Sequence, residues 1–182
     1  SSNEITRKFY PSVTLQGDFM SHFHRLNEMV NNGNAEAAYI IAKNLNFCNV
    51  IFFHDENESL ESFTSSFKNP SSDSHISMMF AQLQRKRVYC SGLTPELANK
   101  TYSYMKMSAE AGYLPAMASF KYIQPFFAQR FLIARQNTND SKQPLESNEY
   151  QEMLDNWIAD KEEHQELAQK YVFEAAYAGD LT

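Results

Sequence analysis

Apolar side chains recur three or four positions apart along most of the chain, and polar clusters holding glycine or proline interrupt them. Phe19, Phe23, Leu26, Met29 and Val30 mark a first helix that Asp18 can cap and that runs to about Asn31. Asn32-Gly33-Asn34 turns the chain, and Ala38, Ile41, Ala42 and Leu45 keep the helical period in a return helix ending near Phe47. Val50 to Phe53 is a short apolar run whose type the period does not settle. Ser59 to Phe67 predicts one or two helical turns. Ile76, Met79, Phe80, Leu83 and Cys90 then form a stripe on a helix ending near Tyr89, with Arg85, Lys86 and Arg87 on its other side. Thr94-Pro95-Glu96 opens a helix with a capping hydroxyl, a first-turn proline and an early carboxylate. The helix after Pro115 is expected to run to about Arg135, bent at Pro125. Ser147 starts a further helix bearing Tyr150, Met153, Leu154, Trp157 and Ile158 on one face. No glycine or proline interrupts residues 147–178, so one long helix and two shorter ones both remain open. With only five glycines and six prolines, the chain favours helices over strands and turns, and the expected class is all-α.

Three of the turns share a pattern. Around Gly112, Tyr104 stands eight residues before, Ser108 and Ala109 four and three before, Ala116 four after and Phe120 eight after. Around Gly33, Met29 and Val30 precede, Ala37 follows four later and Ile41 eight later. Around Gly179, Ala175 and Ala176 precede, with Tyr171 eight before and Ala168 eleven before. Small residues on both sides of a glycine describe two helices packed closely about a tight turn, the glycine taking the left-handed conformation. A valine at position 112 is expected to be strained and to crowd Ala116.

This spacing resembles the Sel-one-like repeat, a relative of the tetratricopeptide repeat built on an antiparallel helix pair. Ala168, Tyr171, Ala175, Ala176 and Gly179 match the first half of that unit. Gly33, Ala37, Tyr39 and Ile41 match its second half, and Tyr104, Ala109, Gly112 and Ala116 match both. Met29, Val30 and Ser108 stand where the pattern has alanine, and Ala42 and Lys121 where glycine is common. The glycines lie 79 and 67 residues apart, about twice the length of a tandem unit. The resemblance implies a superhelix of antiparallel helix pairs with an inserted helical segment. An irregular helical bundle with three alanine-rich turns is the alternative. The corresponding map has a polar leader (1–17) and one helical-repeat domain (18–182). That domain comprises a first repeat, an insertion (49–93), a second repeat (94–135), and an acidic helix with an incomplete third repeat (147–182).

The length of 182 residues suits one domain with a continuous core, and 14% aromatic content argues against disorder. A net charge of −6 gives no electrostatic reason to bind nucleic acid, and no apolar run approaches a membrane span. Eight acidic residues and one lysine between Glu146 and Glu166 make a markedly negative surface. Cys48 and Cys90 each fall at a predicted helix end. Bonded, they would close a loop of 42 residues and imply an oxidising compartment, periplasmic or secreted, with the Ser/Asn-rich start fitting a lipoprotein or a cleaved signal. Free, they would be ordinary buried residues of a cytoplasmic protein.

Candidate chemistry is sparse. His22 and His24 are two apart on a helix and face different ways, so they do not share an ion. His54-Asp55-Glu56 puts three ligand types in one segment and is the better metal or catalytic candidate, though without an evident fourth ligand. The sequence has no nucleophile elbow, phosphate-binding glycine loop or dinucleotide fingerprint. Arg85-Lys86-Arg87 reads as a solvated helix face or a seat for phosphate or an acidic partner. The expected function is non-catalytic, without cofactor: a groove-bearing scaffold for a protein or peptide, as the resemblance implies. A metal-binding or enzymatic protein using His54, Asp55 and Glu56, and a structural segment of a larger envelope assembly, are the alternatives. Because the third copy lacks its returning helix, the chain is expected to be a fragment. Otherwise its last helix is covered, by a neighbouring molecule or by the helix bearing Trp157, and left uncovered it would self-associate through residues 165–181.

Overall fold

Four short polar side chains start helices as their positions demand. In the computed structural model, which describes residues 14–67, 73–125 and 147–179, Asp18 Oδ1 accepts from the Ser21 amide at 2.9 Å. Asn34 accepts from Ala37, Ser59 from Ser62 and Thr94 from Leu97. Each cap satisfies a first-turn N–H that has no partner within its own helix. The helices are α1 (Met20–Asn31), α2 (Ala35–Cys48), α3 (Leu60–Ser65), α4 (Asp73–Tyr89), α5 (Pro95–Ala98), α6 (Thr101–Glu110), α7 (Leu114–Ser119) and α8 (Ser147–Gly179). Two 3-10 turns, Asn49–Phe53 and Phe120–Tyr122, follow α2 and α7. The fold is all-α, with no strand among the described residues.

The helices pack in a row. α1 lies on α2, α2 packs most extensively against α6, α7 returns along α6, and α8 lies on α7 and the turn after it. One core, including Phe19, Ile41, Leu45, Met105, Phe120 and Tyr171, runs through these layers. Phe63, Ile76 and Leu83 form a separate small cluster inside the 49–93 insertion. Residues 1–13 of the polar leader lie outside the described residues, but its last part docks: Leu15 packs on the core and its N–H donates to the Tyr89 hydroxyl at 3.1 Å.

Gly33 and Gly112 make the same turn. Their φ angles are +84° and +80°. In each, the glycine N–H returns to the carbonyl three residues back (Val30, Ala109), and the next N–H reaches five back (Met29, Ser108). That double closure is the Schellman arrangement, and a left-handed residue completes it. Gly179 is different: it ends α8 and is absent from the positive-φ glycines, and residues 180–182 lie outside the described residues. The predicted crowding of Ala116 is also corrected, because a Cβ at position 112 meets nothing within 4 Å. Gly112→Val should therefore act through φ alone, costing about 2 kcal/mol and lowering the melting temperature by about 4–8 °C. An unchanged thermal midpoint would contradict this account of the turn.

The helix after Pro115 is shorter than its periodicity predicts. It ends at Ser119, passes through the 3-10 turn, and Ile123 is extended (φ −97°, ψ 107°). Pro125 supplies the reason, since its ring disfavours helix at the preceding residue and it has no N–H to donate. The predicted continuation, residues 126–135, lies outside the described residues. From Ser147 to Gly179, by contrast, a single helix of 33 residues forms, resolving the alternative left open by the sequence.

Candidate interaction groove along the last helix

α8 is held on one side by an aromatic layer centred on Phe120, which is fully buried. Around that ring stand Tyr171 at 4.9 Å, His164 at 5.1 Å and Tyr102 at 5.3 Å. Lys106 on α6 donates to Glu163 on α8 at 2.6 Å, and this raises the lysine's pKa. Burial, with Glu110 and neighbouring carboxylates adding to it, pushes the Tyr171 phenol up to about 12. Tyr102 is raised further, chiefly by burial and then by Glu163. Both phenols are neutral at any ordinary pH and act as packing groups.

His164 is the titratable member of this layer. Burial lowers its pKa from 6.5, a hydrogen bond with the Lys121 backbone opposing this in part. The unfolded chain then takes up this proton at a higher pH than the folded one. Stability is full above about 6.5 and falls as pH drops from there towards the lower folded value. Asp160, raised by burial and Glu163, works in the opposite direction nearer its own titration. The expected result is a urea midpoint that declines below pH 6.5 in the native chain and declines less in His164→Gln. Parallel pH profiles for the two proteins would exclude His164 as the source.

The other flank of α8 is open. A groove of about 590 Å³ runs between Lys121 and Gln124 on one side and Lys161, Gln165, Ala168 and Val172 on the other. Further along, Phe173, Glu174, Tyr177 and Ala178 surround a second hollow of about 460 Å³, formed by α8 alone. Phe173 lines both and is 78% exposed, and Tyr177 is 76% exposed. Lys161 and Lys121 lie over the Trp157 and Tyr122 rings, 5.2 and 4.8 Å from the centroids.

The residues singled out by their spacing divide by face. Ala37, Tyr104, Ala109, Ala116 and Tyr171 are buried, and Ala168 and Ala175 are partly buried against the same core. Tyr104 also donates to Asn27 at 2.7 Å, joining α6 to α1. Ala176 is a correction: it is exposed, because one step of about 100° from Ala175 carries it off the Phe120 side. Ser108, which departs from the alanine pattern, donates to the Ala35 carbonyl at 2.6 Å. Cys48 and Cys90 are buried and joined, with their Cα atoms 5.7 Å apart, as an oxidising compartment allows.

His54 and Glu56 line one hollow of about 390 Å³ beside Arg87, but Asp55 is not among its lining residues. The His54 imidazole pairs through Nδ1 with Glu58 at 3.0 Å, Asp55 Oδ1 accepts from the Asn57 amide, and Glu56 is exposed. Among the described residues, no group of three or more His, Cys, Asp or Glu is arranged to hold an ion. The basic triplet is divided too: Arg85 is exposed, Lys86 lies over the Phe47 ring at 4.1 Å, and Arg87 is bound to the Asp55 carbonyl. His22 contacts the Gln16 carbonyl at 2.7 Å, whereas His24 faces Glu28. Sequence reasoning missed His164 and Tyr102. Their only signal is helical spacing, with His164 seven residues before Tyr171 and so on the same face of α8. No family model, curated protein or solved structure matches this chain. Among the described residues, no helix is long and apolar enough to cross a membrane.

Proposed function

We propose that this chain is a non-catalytic protein–protein interaction scaffold of the Sel-one-like kind, engaging a protein or peptide along the open flank of α8. The carrying observation is Phe173 and Tyr177, 78% and 76% exposed beside the two hollows on a helix whose opposite side is fixed by the Phe120 layer. Clustered exposed aromatics on a firmly seated helix are what a binding surface needs. The repeat reading draws support from the matching Gly33 and Gly112 turns and from the row α1, α6, α8, linked by Asn27–Tyr104 and Lys106–Glu163. The Cys48–Cys90 pair favours a periplasmic or secreted location. A photo-reactive residue at position 173 tests the reading, with one at Val88, 74% exposed on α4, as reference. In material from its own source, crosslinks to polypeptide are expected from 173 and not from 88. Absence of crosslinks at 173, or equal crosslinking at both, would overturn it.

A further inference from the structure

We infer that the polypeptide engaged by the α8 flank is an acidic one, its carboxylates meeting Lys121 and Lys161 and an apolar side chain meeting Phe173. The inference rests on reading that flank as an interaction surface. Lys161, Gln165, Gln169 and Phe173 are successive i, i+4 neighbours, and all four line the same groove. Such a row is continuous on a helix surface, although it winds by about 40° at each step. At about 1.5 Å per residue it is about 18 Å long. Its chemistry is graded along that length, from an ammonium through two carboxamides to an aromatic ring. Lys121 stands across the groove near the ammonium end, since its backbone bonds with the His164 ring.

The two ammonium groups are uncompensated. Lys106 and Lys170 pair with Glu163 and Glu174. Lys121 and Lys161 lie instead over the Tyr122 and Trp157 rings, which carry no charge. Such a contact steadies an ammonium and leaves it with N–H donors for a carboxylate. Both lysines are exposed, and no carboxylate lines the groove.

On a chain of net charge −6, this makes a positive groove in a negative surface. Glu162 and Glu166 each stand one residue round from the row, outside the groove, and repel an acidic chain that strays from it. A nucleic acid would carry its phosphates across that rim and along the acidic part of α8. A neutral polypeptide would use Phe173 but cover two ammonium groups without pairing them, which costs free energy.

A dye-labelled oligoglutamate peptide ending in one phenylalanine should bind the full chain saturably, and more weakly as sodium chloride rises. The same peptide with glutamine in place of glutamate should bind at least about tenfold more weakly. Lys121→Glu combined with Lys161→Glu should lower affinity for the acidic peptide at least about tenfold, with helical circular dichroism unchanged. Lys170→Glu, a reversal outside the groove, should change it less than about threefold. No binding of the acidic peptide, equal binding of the glutamine peptide, or undiminished binding by the double variant overturns the inference. So does displacement of the peptide by oligothymidylate at equal charge. Crosslinks from position 173 that reach polypeptide equally in the native chain and the double variant overturn it and leave the scaffold reading standing. Crosslinks that reach nothing in either overturn both.

Discussion

Phe120→Ala is expected to cost about 3–5 kcal/mol and to release α8 from the rest of the fold. The ring is fully buried and is shared by Tyr102, His164 and Tyr171, so its loss leaves a cavity that three large side chains on two helices must close together. Those helices are fixed elsewhere. α6 is held by α2, and by Ser108 on the Ala35 carbonyl. α8 is tied to α6 by the Lys106–Glu163 pair, but that pair is partly solvated and contributes little by itself. The layer can therefore collapse only by moving α8. Hydrogen exchange should show residues 160–175 losing protection before α2 and α6 do. Phe173→Ala removes the same side chain from the open flank and should change stability by less than about 0.5 kcal/mol. Equal losses in the two variants would mean that α8 is not held through Phe120.

What the sequence made legible follows from which constraints are local. A glycine between small residues is needed where the chain must turn left-handed, and Gly33 and Gly112 both adopt that conformation. Ala37 and Ala116 read as small buried residues because helices meet closely there, and both are fully buried. The caps at Asp18 and Thr94 were equally legible, since each acts within three residues of itself. The early end of α7 was not: the apolar period continues past it, while Pro125 acts on the residues before it. His164 looked like one more polar residue in an acidic run. Only the docking of α8 on Phe120 buries it, a contact 44 residues away in sequence that no local pattern carries. For the same reason Ala176 looked like its packed neighbour Ala175, and the face that α8 presents decided between them.

Replacing both cysteines by alanine should lower stability by about 4 kcal/mol, the chain-entropy value for a loop of 42 residues. Alanine is the right substituent, because both positions are buried and a serine hydroxyl would add the cost of an unpaired polar group. Within the closed loop lie the first 3-10 turn, α3 and α4, whose own apolar cluster is small. Other ties remain. The Phe19 amide donates to the Tyr89 carbonyl at 2.9 Å, the Tyr89 hydroxyl donates to Asn44, and Arg87 holds the Asp55 carbonyl. These hydrogen bonds contribute about 1 kcal/mol each; the first two hold the end of α4 to the start of α1 and to α2, the third lies within the loop, and all act only while α4 itself is ordered. The variant is therefore expected to lose order in α3 and α4 first, with proteolysis cutting between residues 54 and 80 while α2 and α6 stay protected. Thiol titration of the denatured native chain should find no free sulfhydryl, and urea unfolding of the variant should give the shifted midpoint. Two free thiols in protein taken from its natural source would remove the oxidising compartment from the proposed function. Unaltered stability without the bond would show that the insertion is held by its side-chain contacts alone.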